Sequence, residues 1–240
     1  MDAASGTGGS RSDRKREGAR ARPRNGLARR DFNVALAHLA ASPWLARAAA
    51  AASPARVVVL GDSLTAGYGL PADDAFPARL EAALRADGIA VDVVNAGVSG
   101  DTTAGGRARL DWALADKPDA VIVELGANDG LRGIDPAETF ANLDAILRRL
   151  GDEGVKVLLA GMLAPPNLGR AYGAAFNDVY PRLAAKHGVA LYPFFLDGVA
   201  ARPELNQGDG LHPNARGVAV IVERIAPYVK RLLAAVQKGS

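Results

Sequence analysis

Residues 56–64 read Arg56-Val57-Val58-Val59-Leu60-Gly61-Asp62-Ser63-Leu64, a continuous apolar run that stops at a glycine. A strand with one wet face alternates apolar and polar residues, whereas a strand covered on both faces does not need to. Arg56–Leu60 therefore reads as a strand buried between two layers. Four more short runs repeat the pattern: Val91–Asn95, Ala120–Leu125, Val155–Gly161 and Ala190–Tyr192. Helical stretches lie between or after them at Phe76–Arg85, Gly105–Leu114, Pro136–Leu150, Tyr172–Lys186 and Pro213–Val236. In the fourth, Phe176, Val179, Tyr180 and Leu183 recur three and four apart and make one apolar stripe. Asp135-Pro136 offers an N-cap followed by a proline at the first helical position. Gly88, Gly154 and Gly188 each follow a helix, where a left-handed cap is common. Strand and helix alternating over residues 53–240 predict one α/β domain, flavodoxin-like and three-layered, on a five-stranded parallel sheet.

The first 52 residues have a different character. They carry ten Lys/Arg against four Asp/Glu, while the remaining 188 carry nineteen against twenty-two. The formal charge of +3 thus hides a basic leader on a mildly acidic body. A body without basic excess is a poor nucleic-acid binder. Residues 1–30 are polar and rich in Gly, Ser and Arg, a composition too poor in apolar area to offset chain entropy. Arg29-Arg30-Asp31-Phe32 then precedes a weakly apolar stretch, Val34–Ala52, which ends in alanines before Ser53-Pro54. That layout predicts a twin-arginine export signal and a periplasmic or secreted protein. The alternative is an amphipathic Ala-rich helix. His38, Pro43 and Arg47 interrupt the stretch too often for a stable membrane span. The chain has no cysteine, which excludes disulfides, thiol nucleophiles and Cys-based zinc sites.

In doubly wound sheets the functional groups gather beyond the C-terminal strand ends. There the first strand gives Gly61-Asp62-Ser63-Leu64, the second Gly97-Val98-Ser99-Gly100-Asp101-Thr102, and the third Gly126-Ala127-Asn128-Asp129-Gly130. A late loop reads Asp209-Gly210-Leu211-His212-Pro213. Any one of them could be mere turn geometry; the four at one sheet edge suggest chemistry. A serine hydroxyl becomes a nucleophile only when a base takes its proton, and histidine suits that task near neutral pH. His212, in a loop three residues after Asp209, fits a Ser-His-Asp arrangement with Ser63. His187 ends a helix, where the dipole favours it, and is expected to be structural. The backbone N–H groups of Ser63 and Gly100 and the Asn128 amide could stabilise an oxyanion. Asn128 could equally be a turn residue of Asn-Asp-Gly.

Together, Gly-Asp-Ser-Leu at 61–64, the glycine at 100, Gly-x-Asn-Asp at 126–129 and Asp-x-x-His at 209–212 resemble the four blocks of the SGNH (GDSL) hydrolase family. Segments such as Glu-Leu-Gly-Ala-Asn-Asp-Gly-Leu-Arg-Gly and Tyr-Pro-Phe-Phe are similar to its bacterial thioesterase/lysophospholipase and arylesterase members. The resemblance covers about residues 55–232. It implies Ser63 as nucleophile, His212 as base, Asp209 as its orienter, and Ser63 N–H, Gly100 N–H and Asn128 as the oxyanion hole. It also implies an acyl pocket shaped by the segments holding Leu131, Ile134 and Pro165, with Met162 and Leu163 as further wall or as plain core. The expected partner is a small ester or thioester, including lysophospholipids, acted on by a monomer without cofactor. Three other readings stay open: a carbohydrate deacetylase of the same family, a Mg²⁺-dependent phosphoesterase using Asp62, Asp129, Asp209 and His212, and a non-catalytic flavodoxin-like binding module.

Overall fold

The computed structural model describes residues 53–115 and 117–237; the basic leader, with the Arg29-Arg30 stretch read above as an export signal, lies outside the described residues. The strands are β1 (Ala55–Gly61), β2 (Val91–Gly97), β3 (Ala120–Glu124), β4 (Lys156–Ala160) and β5 (Ala190–Tyr192). They form one parallel sheet in the order β2-β1-β3-β4-β5. β1 is central, and Val57, Val58, Val59 and Leu60 are fully buried. The uninterrupted apolar run therefore means what it suggested: both faces are covered.

The helices are α1 (Ser63–Ala66), α2 (Phe76–Ala86), α3 (Thr103–Ala108), α4 (Leu110–Leu114), α5 (Ala127–Arg132), α6 (Pro136–Asp152), α7 (Arg170–Asn177), α8 (Val179–His187) and α9 (Ala215–Gln237). α2 and α9 pack together on one face of the sheet, while α3, α4, α6, α7 and α8 form the other layer. The longest helix, α9, buries Val218, Ile221, Val222, Ile225, Val229, Leu232 and Leu233. Full burial of each such side chain is worth roughly 1.5–3 kcal/mol, which lets the helix carry Pro227 in its interior. On the opposite face α6 begins as expected. Asp135 accepts a hydrogen bond from the Ala137 N–H at 2.9 Å and Pro136 follows it. Leu143, Ile146, Leu147 and Leu150 then form the buried stripe.

Two expected helices are broken. Tyr172–Lys186 is α7 and α8, parted at Asp178. Gly105–Leu114 is α3 and α4, parted at Arg109. The strand order reverses at β1, so the crevice beyond the ends of β1 and β3 is the topological switch point. Ser63 follows β1 there and Asn128 follows β3.

Candidate active site

Gly61 closes β1 because nothing larger fits. A Cβ there would lie 2.0 Å from Thr65 Oγ1 and 2.7 Å from Glu124 Oε2. The chain turns at once into α1, whose N-cap is Asp62: Oδ1 of its carboxyl accepts the Leu64 N–H at 3.0 Å. Ser63 is then the first residue of the helix, a position whose N–H has no intrahelical acceptor. Its side chain faces the crevice, and the residue is only 9% exposed.

The Asp209–His212 turn is built locally. Asp209 Oδ1 accepts the N–H of Leu211 at 2.9 Å and of His212 at 3.0 Å. This is an Asx-type turn, and Gly210 supplies the left-handed residue it needs, with φ of 71°. The other carboxyl oxygen, Oδ2, lies 2.6 Å from His212 Nδ1. The backbone N–H of His212, then its ring, then the Leu211 N–H hold the Asp209 carboxyl down at about 2. Its ionised form is thereby fixed beside the imidazole. On the far side of the ring, Nε2 is 2.8 Å from Ser63 Oγ. The loop itself is tied down. The N–H of Gln207 donates to the His212 carbonyl at 2.7 Å, and its side-chain amide donates to the carbonyls of Tyr68 at 2.7 Å and Pro213 at 3.0 Å. The Tyr68 ring covers the imidazole at 4.6 Å between centroids.

Asn128 lies in the first turn of α5. Its Nδ2 donates to the Asp101 carbonyl at 2.9 Å and to Asp62 Oδ2 at 3.2 Å. Gly100, with φ of 86°, has its carbonyl held by Arg132 at 2.8 Å. Beneath Ser63 lies a second buried carboxyl. Glu124 Oε2 accepts the Thr65 hydroxyl at 2.7 Å, while its Oε1 has no hydrogen-bond partner among the described residues. Burial pushes Glu124 well above the usual carboxylate range, and the neighbouring Asp62 pushes it further. Burial likewise raises Asp62 to about 6, against the Leu64 N–H and the Asn128 amide, which lower it.

Ser63 and His212 stand at one end of an apolar cleft of about 450 Å³. Its walls come from Leu131, from Met162–Pro166 and from Phe194, Leu196, Ala200 and Ala201. Leu131 and Pro165 are thus where they were expected. Ile134 is not in the wall: its N–H donates to the Asp129 carbonyl and its own carbonyl accepts the Tyr172 hydroxyl, so it closes the end of α5 instead. A larger groove of about 680 Å³ lies at the N-terminal ends of β4 and β5 and includes none of these groups. His187 lines it, with Nε2 2.6 Å from Asp144 on α6, the structural role expected of it.

The carboxylates suggested as a cation set are already engaged. Asp129 accepts the Thr103 N–H at 2.8 Å and the hydroxyls of Thr103 and Thr139 at 2.5 and 3.2 Å. Asp62 caps α1 and Asp209 holds the imidazole. Among the described residues no three acidic or histidine side chains are grouped to hold an ion.

Two residues that brace this edge of the sheet were not picked out by sequence reasoning: Gln207, which ties down the His212 loop, and Arg109, which donates to the Gly61 and Ala96 carbonyls and to Asp101. Gln207 carries no motif. Arg109 sits in a helical stretch, where a charged residue ordinarily reads as a solvated face.

The GDSL-like Lipase/Acylhydrolase family matches residues 59–220 of the chain. An arylesterase of Vibrio mimicus is 43% identical over 179 residues, which cover 74% of this chain and 90% of that protein. The Thioesterase 1/protease 1/lysophospholipase L1 of Escherichia coli K12 is 41% identical over 184 residues, covering 76% and 87%. The crystal structure of TesA superimposes with a TM-score of 0.71 at 44% identity, covering 74% of this chain and 99% of that one.

Proposed function

Because this chain belongs to the GDSL-like lipase/acylhydrolase family and is a serine hydrolase of carboxylic esters and thioesters, we propose that its preferred substrates carry an apolar acyl group that lies in the cleft walled by Leu131, Leu163 and Pro165. Lysophospholipids meet that description, and acyl thioesters and aryl esters meet it where their acyl chain is apolar. The observation that carries the reading is the line Ser63 Oγ–His212 Nε2 at 2.8 Å and His212 Nδ1–Asp209 Oδ2 at 2.6 Å, opening on an apolar cleft.

In this reading Ser63 Oγ attacks the acyl carbon while His212 Nε2 takes its proton. The Asp209 carboxylate stabilises the imidazolium without itself becoming protonated. The oxyanion forms against the N–H groups of Ser63 and Gly100 and the Asn128 amide. Asn128 already spends both amide hydrogens, and the longer bond, to Asp62 at 3.2 Å, is the one the oxyanion replaces. His212 then protonates the departing alkoxide or thiolate, which leaves an acyl-serine ester. Water, deprotonated by the same nitrogen, hydrolyses that ester and frees the carboxylic acid.

The test is a panel of p-nitrophenyl esters, acyl-coenzyme A thioesters and an acetylated sugar, run on wild type and Ser63→Ala. Turnover rising with acyl length, and absent in Ser63→Ala, is expected. Preference for the acetylated sugar would favour the deacetylase reading, and chelator-sensitive turnover of a phosphoester by Ser63→Ala would favour the phosphoesterase. From Arg29-Arg30, the weakly apolar stretch and its terminal alanines we also infer export by the twin-arginine route.

A further inference from the structure

Arg109 occupies the break between α3 and α4, where the backbone leaves helical geometry at φ −108° and ψ 14°. Its side chain is 17% exposed and turns inward under the strand ends. Nη2 donates to the Gly61 carbonyl at 2.7 Å, Nη1 to the Ala96 carbonyl at 2.8 Å, and Nε to Asp101 Oδ2 at 2.5 Å. Gly61 is the last residue of β1, two before Ser63. Ala96 lies at the end of β2. Asp101 follows Gly100, and its carbonyl is the acceptor that holds the Asn128 amide. One planar cation therefore reaches the nucleophile's strand, the glycine loop and, through a single backbone carbonyl, the amide donor.

We propose that Arg109 is a positioning residue that fixes the spacing between the Ser63 turn and the Gly100 and Asn128 oxyanion donors. The inference rests on the serine-esterase reading of the site. A guanidinium presents its N–H groups in a rigid fork that can hold three acceptors in one plane; an ammonium on a flexible stem cannot. Two of the acceptors are carbonyls at the ends of adjacent parallel strands, so the fork adds a side-chain tie across their last pairs, beside the Val98 N–H that donates to the same Gly61 carbonyl at 3.1 Å. Asp101 neutralises the cation and is held by it in turn. Oxyanion donors act only within about 2.7–3.1 Å of the developing charge, and a site loosened by about 1 Å loses much of its effect. Arg109 is not in the cleft wall, so its removal should leave ground-state binding alone and weaken the transition state.

The experiment uses Arg109→Ala and Arg109→Lys in the full chain, with Ser63→Ala beside them. Concentrations are set by titrating the active serine with a phosphonate, so that kcat refers to folded sites only. The expected result is a kcat lower by roughly 10²-fold with KM within a few-fold. A trifluoromethyl ketone, which forms a tetrahedral adduct on the serine, should bind more weakly by the same factor as the fall in kcat/KM. Millimolar methylguanidinium should restore part of the rate in Arg109→Ala, and Arg109→Lys should remain slow. A fall in titratable sites with wild-type kcat per site would overturn the proposal and make Arg109 a folding residue. So would full activity in Arg109→Lys, or a loss confined to KM. If Arg109→Ala does not fold, Arg109→Lys carries the same kcat and inhibitor comparison. Failure of the underlying reading is recognised separately, by ester turnover that survives in Ser63→Ala.

Discussion

Replacing Asp62 by Asn should make the protein more stable at pH 8 and slightly less stable near pH 4. Asp62 is fully buried, and burial raises its carboxyl from 3.8 to about 6. Between those values the folded chain holds a proton that the unfolded chain has released. The favourable contribution is therefore complete at low pH and is lost as the pH rises through about 6. Above pH 7 the ionised group costs about 3 kcal/mol. Asn keeps an oxygen to accept the Leu64 N–H but turns an amide donor toward Asn128, which loses one hydrogen bond worth about 1 kcal/mol. The balance is a gain of about 2 kcal/mol at pH 8, or roughly 4–8 °C in Tm for a chain of this size. Near pH 4 only the loss of about 1 kcal/mol remains. The assay is urea unfolding of both proteins from pH 4 to 8. Because two profiles are compared, groups that titrate alike in both chains cancel; Glu124, which the Asp62 charge pushes up, does not, and losing that charge adds to the gain at pH 8. Parallel profiles would mean that Asp62 does not change charge in this range, and the desolvation argument would then be wrong.

Asn128→Ala should lower kcat by roughly 10²–10³-fold with a much smaller change in KM, measured on a p-nitrophenyl ester; an unchanged kcat would leave Asn128 as a turn residue. Leu163→Trp should narrow the cleft and reduce the kcat/KM ratio of the longest accepted acyl chain to acetyl by at least about 10-fold, read from a chain-length series. A chain beginning at Ser53, with formal charge −3, should fold and hydrolyse esters like the full chain. In the host, replacing Arg29 and Arg30 together by Lys should leave the protein in the cytoplasm, as followed by fractionation.

The sheet was legible because its strands are buried on both faces. Val57–Leu60 and Ala120–Val123 admit no polar residue, so no competing period confuses them. The site was legible because its chemistry falls at strand ends, where the turn residues are short and chemically distinctive. What escaped was set by tertiary contact. The four-residue helix at Ser63 is too short to show a period. The breaks at Arg109 and Asp178 fall inside runs with helical spacing, and nothing local marks them. Ile134 belongs to a segment that the resemblance places at the acyl pocket, but it does not line the cleft, and its carbonyl is held by the hydroxyl of Tyr172, 38 positions later. Glu124 looked like the end of a strand; its burial beneath Thr65 is a property of the packed layers. Arg109 finds two of its three partners through the sheet.

The line from Ser63 through His212 to Asp209 joins groups at very unequal distances along the chain. Asp209 and His212 are three residues apart, whereas Ser63 is 149 residues from the imidazole. The first contact is therefore made within one turn of the chain, and the second closes most of the domain. Heat or denaturant should break them in the reverse order. A molecule that loosens the segment around residues 203–214 keeps its imidazole paired with carboxylate yet moves it away from the hydroxyl. Inactivation on warming should thus precede the loss of helical ellipticity, and the early-inactivated state should recover at once on cooling, since only one distance has to be restored.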